Sequence, residues 1–263
     1  MSYSFDELLG FFFIYGFVGW ISEVIFAAFK TGRFVNRGFL LGPICPIYGF
    51  GVVAVLCLLE PVRAYPLSVF VLSVLVTSAI ELLVGIISEK LFHERLWDYS
   101  DCFMNIGGYV CLTFSLLWGV GCMAVFYGLH PLIAALVRKI PGIIEAILLS
   151  VFSAAILADT IITLTQALKI ESRMKAIENA AKQLESISAH IGKSVSDGAI
   201  HIKEKAEESE KLRKQLNLLV NKRNIVHDHM FHAFERLKTG KYKEAYERLK
   251  AAKKQRGEKR EKK

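Results

Sequence analysis

The segment Phe34-Val35-Asn36-Arg37-Gly38-Phe39-Leu40-Leu41-Gly42-Pro43-Ile44-Cys45-Pro46-Ile47-Tyr48-Gly49-Phe50-Gly51 governs how the rest of the chain is read. Two prolines and four glycines crowd the start of an apolar run. Pro43 and Pro46 each lack a backbone donor and bend or break a helix at that point. Carbonyls freed at membrane depth survive only against protein or a wet cavity. The segment therefore predicts a broken or re-entrant helix, a common way to build a substrate or ion site. The alternative is a plain interfacial turn with Arg37 on lipid phosphate.

Working outward, five apolar stretches approach or exceed the ~20 residues needed to cross a bilayer. They cover roughly residues 8–29, 40–59, 67–87, 106–127 and 143–164. The expected fold is all-α: a polytopic helical membrane protein with about five spans and a C-terminal helical, coiled-coil tail. The basic residues orient it. Lys30, Arg33 and Arg37 mark the first connection, and Lys90 and Arg95 the third; both belong in the cytoplasm with the tail. That gives N-out, C-in, in a bacterial cell membrane. The fourth connection, 130–140, is apolar between Pro131 and Pro141 and reads as a short helix along the outer interface. The acidic MSYSFDE start and the long apolar run after it do not suit a cleavable signal peptide.

Charge divides the 263 residues near Lys169. Residues 1–168 hold 8 Lys/Arg against 11 Asp/Glu, whereas 169–263 hold 25 against 14. The membrane domain is thus 1–168 and the basic cytoplasmic tail 169–263. In the tail Ile177, Ala181, Leu184, Ile191 and Val195 form a narrow apolar seam. A break is expected over 194–199, then a helix over 202–237 with Leu212, Leu216, Leu219 and Val226 inward, and a short helix over 242–254. His227, His229 and His232 do not share one helical face, so no metal site is expected. Solvated Lys/Arg or attraction to anionic lipid accounts for the tail's charge; its few aromatic residues disfavour nucleic acid.

An internal repeat is visible at an offset of 66 residues. The stretch 18–26 matches 84–92 at six of nine positions, and Cys45 falls on Cys111. The membrane domain reads as two related hairpins plus a fifth span. None of the five cysteines has CxxC spacing, so they read as small packing residues.

Acids inside spans are functional candidates by default. Glu23, Glu81, Glu89 and Asp159 qualify, all toward the cytoplasmic side. Ser78, Glu81, Gly85 and Glu89 share one face of the third span, and Gly16, Gly19 and Glu23 one face of the first. Small residues beside an acid let a neighbouring helix shield it. Asp159 shares a face with Phe152, Ile156, Thr163 and Gln166. Arg37 is the expected partner of Glu23 or Glu89, completing a polar cluster. Structural hydrogen bonding, or Glu89 reaching the interface, is the competing account of these acids.

The residues Gly19, Trp20 and Glu23, then Phe34, Asn36-Arg37-Gly38-Phe39-Leu40, Gly42, Pro43 and 46–51, form a distinctive run. Trp97-Asp98-Tyr99-Ser100, Asn105, Gly108, Cys111, Leu112, Ser115, Trp118 and Gly119 extend it. Over residues 10–165 the pattern resembles the ABC-transporter type IV (CmpB-like) membrane family of bacteria. The resemblance implies a permease-like component, of unestablished substrate, and says nothing of the tail.

No G-x-x-x-x-G-K-[ST] loop is present, because Ile187 stands where the first glycine would precede Gly192-Lys193-Ser194. The chain is read as a non-enzyme, without cofactor. An ABC mechanism would need a separate nucleotide-binding subunit, and five short-looped spans suggest a homodimer. The rival reading is a non-transporting scaffold or sensor acting through its tail, on lipid or a protein partner.

Overall fold

The computed structural model describes residues 3–93, 95–194, 202–221, 229 and 243–251. It separates into two compact units, Met1–Thr165 and Gln166–Lys263. The division falls within a few residues of the charge break at Lys169.

Helix α1 (Phe5–Thr31) starts at a capping box, with Ser4 and Glu7 exchanging side-chain-to-backbone hydrogen bonds. It stops at Gly32, whose φ of 70° closes the C-terminus in the left-handed region. Helix α2 (Pro46–Leu59) begins with Pro46 in its first turn, where a missing N–H costs nothing. Helix α3 (Pro66–Phe92) begins the same way at Pro66. Helix α4 (Leu112–Met123) runs through a π-helical turn, Ala124–Leu129, into α5 (His130–Val137). Helix α6 (Gly142–Ser194) follows; its first part belongs to the first unit and the rest to the second.

The first unit is a helical membrane domain. Four helical stretches are long and apolar enough to cross a bilayer: Phe5–Phe29, Pro66–Phe92, Leu112–Val137 and Gly142–Ile187. Their outer faces carry Ile21, Ile25, Leu75, Leu83, Ile87, Val151, Leu157 and Ile161 exposed, as lipid-facing helices require. Inside, Phe11, Tyr15, Val55, Leu56, Leu59, Val69 and Phe126 form one buried cluster. It lies toward the N-terminal half of α1, at the end opposite Glu23.

Two of the expected spans differ from the structure. The second is expected from residue 40, but 40–45 is not helical and the shorter apolar helix is Pro46–Val62. Fourteen residues of α2 cover only about 21 Å, less than a ~30 Å hydrocarbon core. The fourth is expected from residue 106, yet Asn105–Ile106 and Val110–Cys111 pair as a minimal antiparallel hairpin ahead of α4. Both hydropathy runs overreach because apolar loop residues count like helical ones. The expected separate interfacial helix over 130–140 is also corrected. The helix continues through the π turn, with Pro131 in the first turn of α5, from Leu112 to Val137.

Matching contacts recur at the 66-residue spacing. Cys45 caps α2 and Cys111 caps α4. Gly49 of α2 lies against the Phe12 carbonyl of α1, and Ser115 of α4 bonds Ser78 of α3 at 2.7 Å. Close helix approach through small residues is the usual packing in lipid, where no hydrophobic drive separates helix from solvent.

In the second unit α6 buries Ile170, Met174, Ile177, Ala180 and Ala181. These include the first two seam positions; of the expected break over 194–199 only Ser194 is described, and it still belongs to α6, while Val195, Val226 and the side chain of Ile191 lie outside the described residues. Helix α7 (Ile202–Asn221) buries Leu216, and its Leu219 carbonyl accepts from Arg173 at 3.0 Å. Residues 243–251 are helical, within the expected 242–254. His227 and His232 lie outside the described residues.

A Cβ at Gly49 would stand 2.5 Å from the Phe12 carbonyl oxygen, which belongs to the backbone and cannot rotate away. Gly49→Val is therefore expected to cost about 1–3 kcal/mol through overpacking. Thermal melting of the detergent-solubilised protein measures this. A wild-type melting point would show that α1 and α2 do not meet there.

Candidate functional site

The four acids lie toward the same end of the membrane domain, but they occupy three separate settings. Asp159 holds the segment between α1 and α2. Its carboxylate accepts from the backbone N–H of Leu41 at 3.2 Å and of Gly42 at 2.7 Å, and from the Thr163 hydroxyl at 2.9 Å. A Cβ at Gly42 would stand 3.1 Å from Asp159 Oδ2, so a bare backbone is what lets the carboxylate approach. The rest of the segment is satisfied in the same internal manner. The Asn36 side chain accepts from Trp20 Nε1 at 2.9 Å and from the Gly38 N–H at 3.0 Å, and donates to the Leu41 carbonyl at 3.0 Å. The Cys45 N–H reaches the Gly16 carbonyl at 2.9 Å.

Glu23 takes a hydrogen bond from the Tyr48 hydroxyl at 2.6 Å. Gly19, one turn earlier, lies against the Tyr48 ring. Tyr48 in turn meets the Trp118 ring edge-on, with centroids 5.3 Å apart. Trp118 Nε1 donates to Glu81 Oε1 at 3.1 Å, and the Tyr99 hydroxyl donates to the same oxygen at 3.4 Å. Glu23 and Glu81 are thus the two ends of one aromatic chain crossing α1, α2, α4 and α3.

Glu89 is different again. Arg95 Nε bonds it at 2.6 Å and the Tyr109 hydroxyl at 2.6 Å. The Arg95 guanidinium lies over the Tyr109 ring, reaches the Gly107 carbonyl at 2.9 Å and stands 3.6 Å from Asp98. Around it the loop between α3 and α4 closes on itself. Trp97 Nε1 donates to the Tyr109 carbonyl at 2.8 Å, and Asp98 accepts from the Ser100 hydroxyl and N–H. Asn105 bonds the Ser100 and Cys102 carbonyls and the Gly108 N–H. Gly108, at φ 76°, packs so tightly on Ser100, Arg95 and Asp98 that no side chain fits.

Arg37 does not join the cluster. Its guanidinium lies over the Phe26 ring at 5.4 Å, and the cation on Glu89 is Arg95. The capacity of a guanidinium to bond a carboxylate favoured Arg37, but the loop 33–45 is tied to α6 through Asp159 and leaves Arg37 against Phe26. Most of the distinctive sequence run holds the two loops: Trp20, Asn36, Gly38 and Gly42 in the first, Trp97, Asp98 and Asn105 in the second. Pro43 lies in the first loop and Pro46 opens α2. Tyr48 and Tyr99 instead serve the acids directly.

Sequence reasoning missed a second polar knot. His130 is buried at 1 % exposure, with Nδ1 3.0 Å from the Tyr15 hydroxyl and Nε2 2.9 Å from the Tyr3 hydroxyl. It follows the π turn directly. A lone histidine before Pro131 gives no hint of a tyrosine 115 residues away. Tyr109 was missed also, although the pairing of Gly85 with Glu89 at helical spacing marks the place a tyrosine would fill. Among the described residues no group of three or more His, Cys, Asp or Glu could hold a metal ion.

A helical polytopic domain with acids held inside it by aromatic and backbone donors is an integral membrane protein. The family model described as "Putative ABC-transporter type IV" matches residues 10–164, more than half of the chain, and the chain belongs to that family. No curated protein and no solved structure matches it.

Asp159→Ala removes both oxygens that accept three hydrogen bonds, two of them from backbone donors. Charge-assisted hydrogen bonds are worth about 1.5–3 kcal/mol each. The variant is expected to release the loop and expose Cys45, which is buried in the native protein. Thiol labelling in a background where the other four cysteines are replaced by serine or alanine measures this, with at least tenfold faster modification expected. An unchanged rate would mean Asp159 does not hold the loop.

Proposed function

We propose that this protein is a membrane permease component whose working surface is the cytoplasmic-side set of Glu23, Glu81, Glu89 and Asp159. The observation that carries the reading is the non-helical segment 33–45, satisfied through Asn36 and Asp159 rather than by a helix. Irregular backbone at membrane depth, tied to an acid on another helix, is how transporters build sites that open and close. The family to which residues 10–164 belong supports a transport role. Placing this face in the bacterial cytoplasm follows the basic loops and tail, with the N-terminus outside. Energy would come from a separate ATPase subunit, since the chain has no phosphate-binding loop. A homodimer would double a domain that is small for a permease. The basic tail would rest on anionic lipid or a protein partner.

Glu23 is the acid to test, because among the described residues Tyr48 alone bonds it and it stays half-buried. Glu23→Gln keeps the hydrogen bond from Tyr48 while removing the charge. It is expected to abolish rescue of a deletion strain, at wild-type protein levels in the membrane. Deleting residues 170–263 is expected to leave part of that rescue. If Glu23→Gln rescues fully and the tail deletion rescues nothing, the protein is a scaffold or sensor acting through its tail.

A further inference from the structure

We propose that Glu81 is a proton-binding site inside the membrane domain, its carboxyl held neutral and in exchange with water through the α3–α4 loop. Two of the other acids show how fully a carboxyl can be supplied with donors in this protein. Asp159 has three donors spread over both oxygens, and Glu89 has a guanidinium and a hydroxyl. Glu81 has neither arrangement. It is 7 % exposed, and both of its donors, Trp118 Nε1 and the Tyr99 hydroxyl, address Oε1. Oε2 is buried with no hydrogen-bond partner among the described residues. A carboxylate left this way in an apolar setting neutralises itself by taking up a proton. The asymmetry assigns the atoms: Oε1 is the carbonyl oxygen that accepts, and Oε2 carries the hydrogen.

The surroundings select a proton over a metal cation. The groups that reach Glu81 are Trp118 of α4 and Tyr99 of the loop; behind them, Tyr48 of α2 packs on Trp118 and Cys111 lies within electrostatic reach of Tyr99. Tyr99 also lies within electrostatic reach of Glu23 on α1. Among the described residues none of them is cationic. An indole N–H aimed at the carboxyl repels a metal ion and offers it no oxygen, whereas hard cations need several oxygen ligands. The route to water follows Tyr99, whose neighbours Asp98, Ser100 and Asp101 are exposed: when the carboxyl turns its hydroxyl toward Tyr99, that hydrogen passes to the Tyr99 oxygen as the Tyr99 hydrogen leaves to water. For a permease, such a site would let proton movement accompany conformational change; the protonation itself does not depend on that reading.

Infrared spectroscopy of the purified full-length protein in lipid nanodiscs at neutral pH tests this. A carbonyl band of one protonated carboxyl is expected in the wild type and absent in Glu81→Gln. Trp118→Phe and Tyr99→Phe each remove a donor from Oε1, so each should move that band to higher frequency. In heavy water the wild-type band should shift, and Tyr99→Phe should slow the shift. The two donor variants keep Glu81, so they decide the matter even if Glu81→Gln fails to fold. A band that survives Glu81→Gln, or that ignores both donor variants, would overturn the proposal. Because the readout is protonation and not transport, either result leaves the rescue experiment with Glu23→Gln independent.

Discussion

Backbone polar groups away from water need partners, and in this protein residues 33–45 are where a helix does not supply them. The four hydrogen bonds of Asn36 and Asp159 with backbone at Gly38, Leu41 and Gly42 replace the missing helical ladder. Much else follows from that constraint. Helix α2 can be short because the loop precedes it. Gly42, bare of a side chain, leaves the carboxylate a close approach to its N–H. Asp159 is tolerated in α6 because backbone donors substitute for water.

The second hairpin meets the same problem with different chemistry. Its loop, 93–111, is closed by Trp97, Asp98, Asn105 and Arg95, and the minimal strand pair ends at Cys111, 66 residues beyond Cys45. In each hairpin a glycine and a glutamate one turn apart hold a tyrosine: Gly19 and Glu23 with Tyr48, Gly85 and Glu89 with Tyr109. The tyrosines come from different places, one from α2 and one from the loop. Equivalent acids therefore ended in unlike surroundings. Glu89 has an arginine, Glu23 has one hydroxyl, and Glu81, for which the first hairpin has Tyr15, stands deeper with a bare oxygen.

Hydropathy and the basic loops made the helical membrane architecture legible, and the change in composition near Lys169 lies close to the division between the two units. The proline and glycine density of 34–51 announced the break before α2. Hydropathy could not show where α2 and α4 begin, since Leu40, Leu41 and Ile106 are as apolar in a loop as in a helix. Nor could it find the continuity through Pro131, which depends on a π turn rather than on residue type. The acids were legible as candidates because charges in spans are costly. Their partners were not, because Asp159 and Leu41, or Glu81 and Trp118, are joined by tertiary folding across 118 and 37 residues. Arg37 shows the converse error, in which the right bonding chemistry was assigned to the wrong arginine.

The depth of the first loop is the central claim, and spin labels report depth directly. A single nitroxide at Ile44, in proteoliposomes, should be shielded from a water-soluble relaxation agent. A label at Gly32, in the exposed turn after α1, should be fully accessible to it. Shielding at Ile44 that disappears when Asp159 is replaced by alanine is the result this account predicts. Equal accessibility at Ile44 and Gly32 in the otherwise unaltered protein would contradict it, placing the loop at the membrane surface.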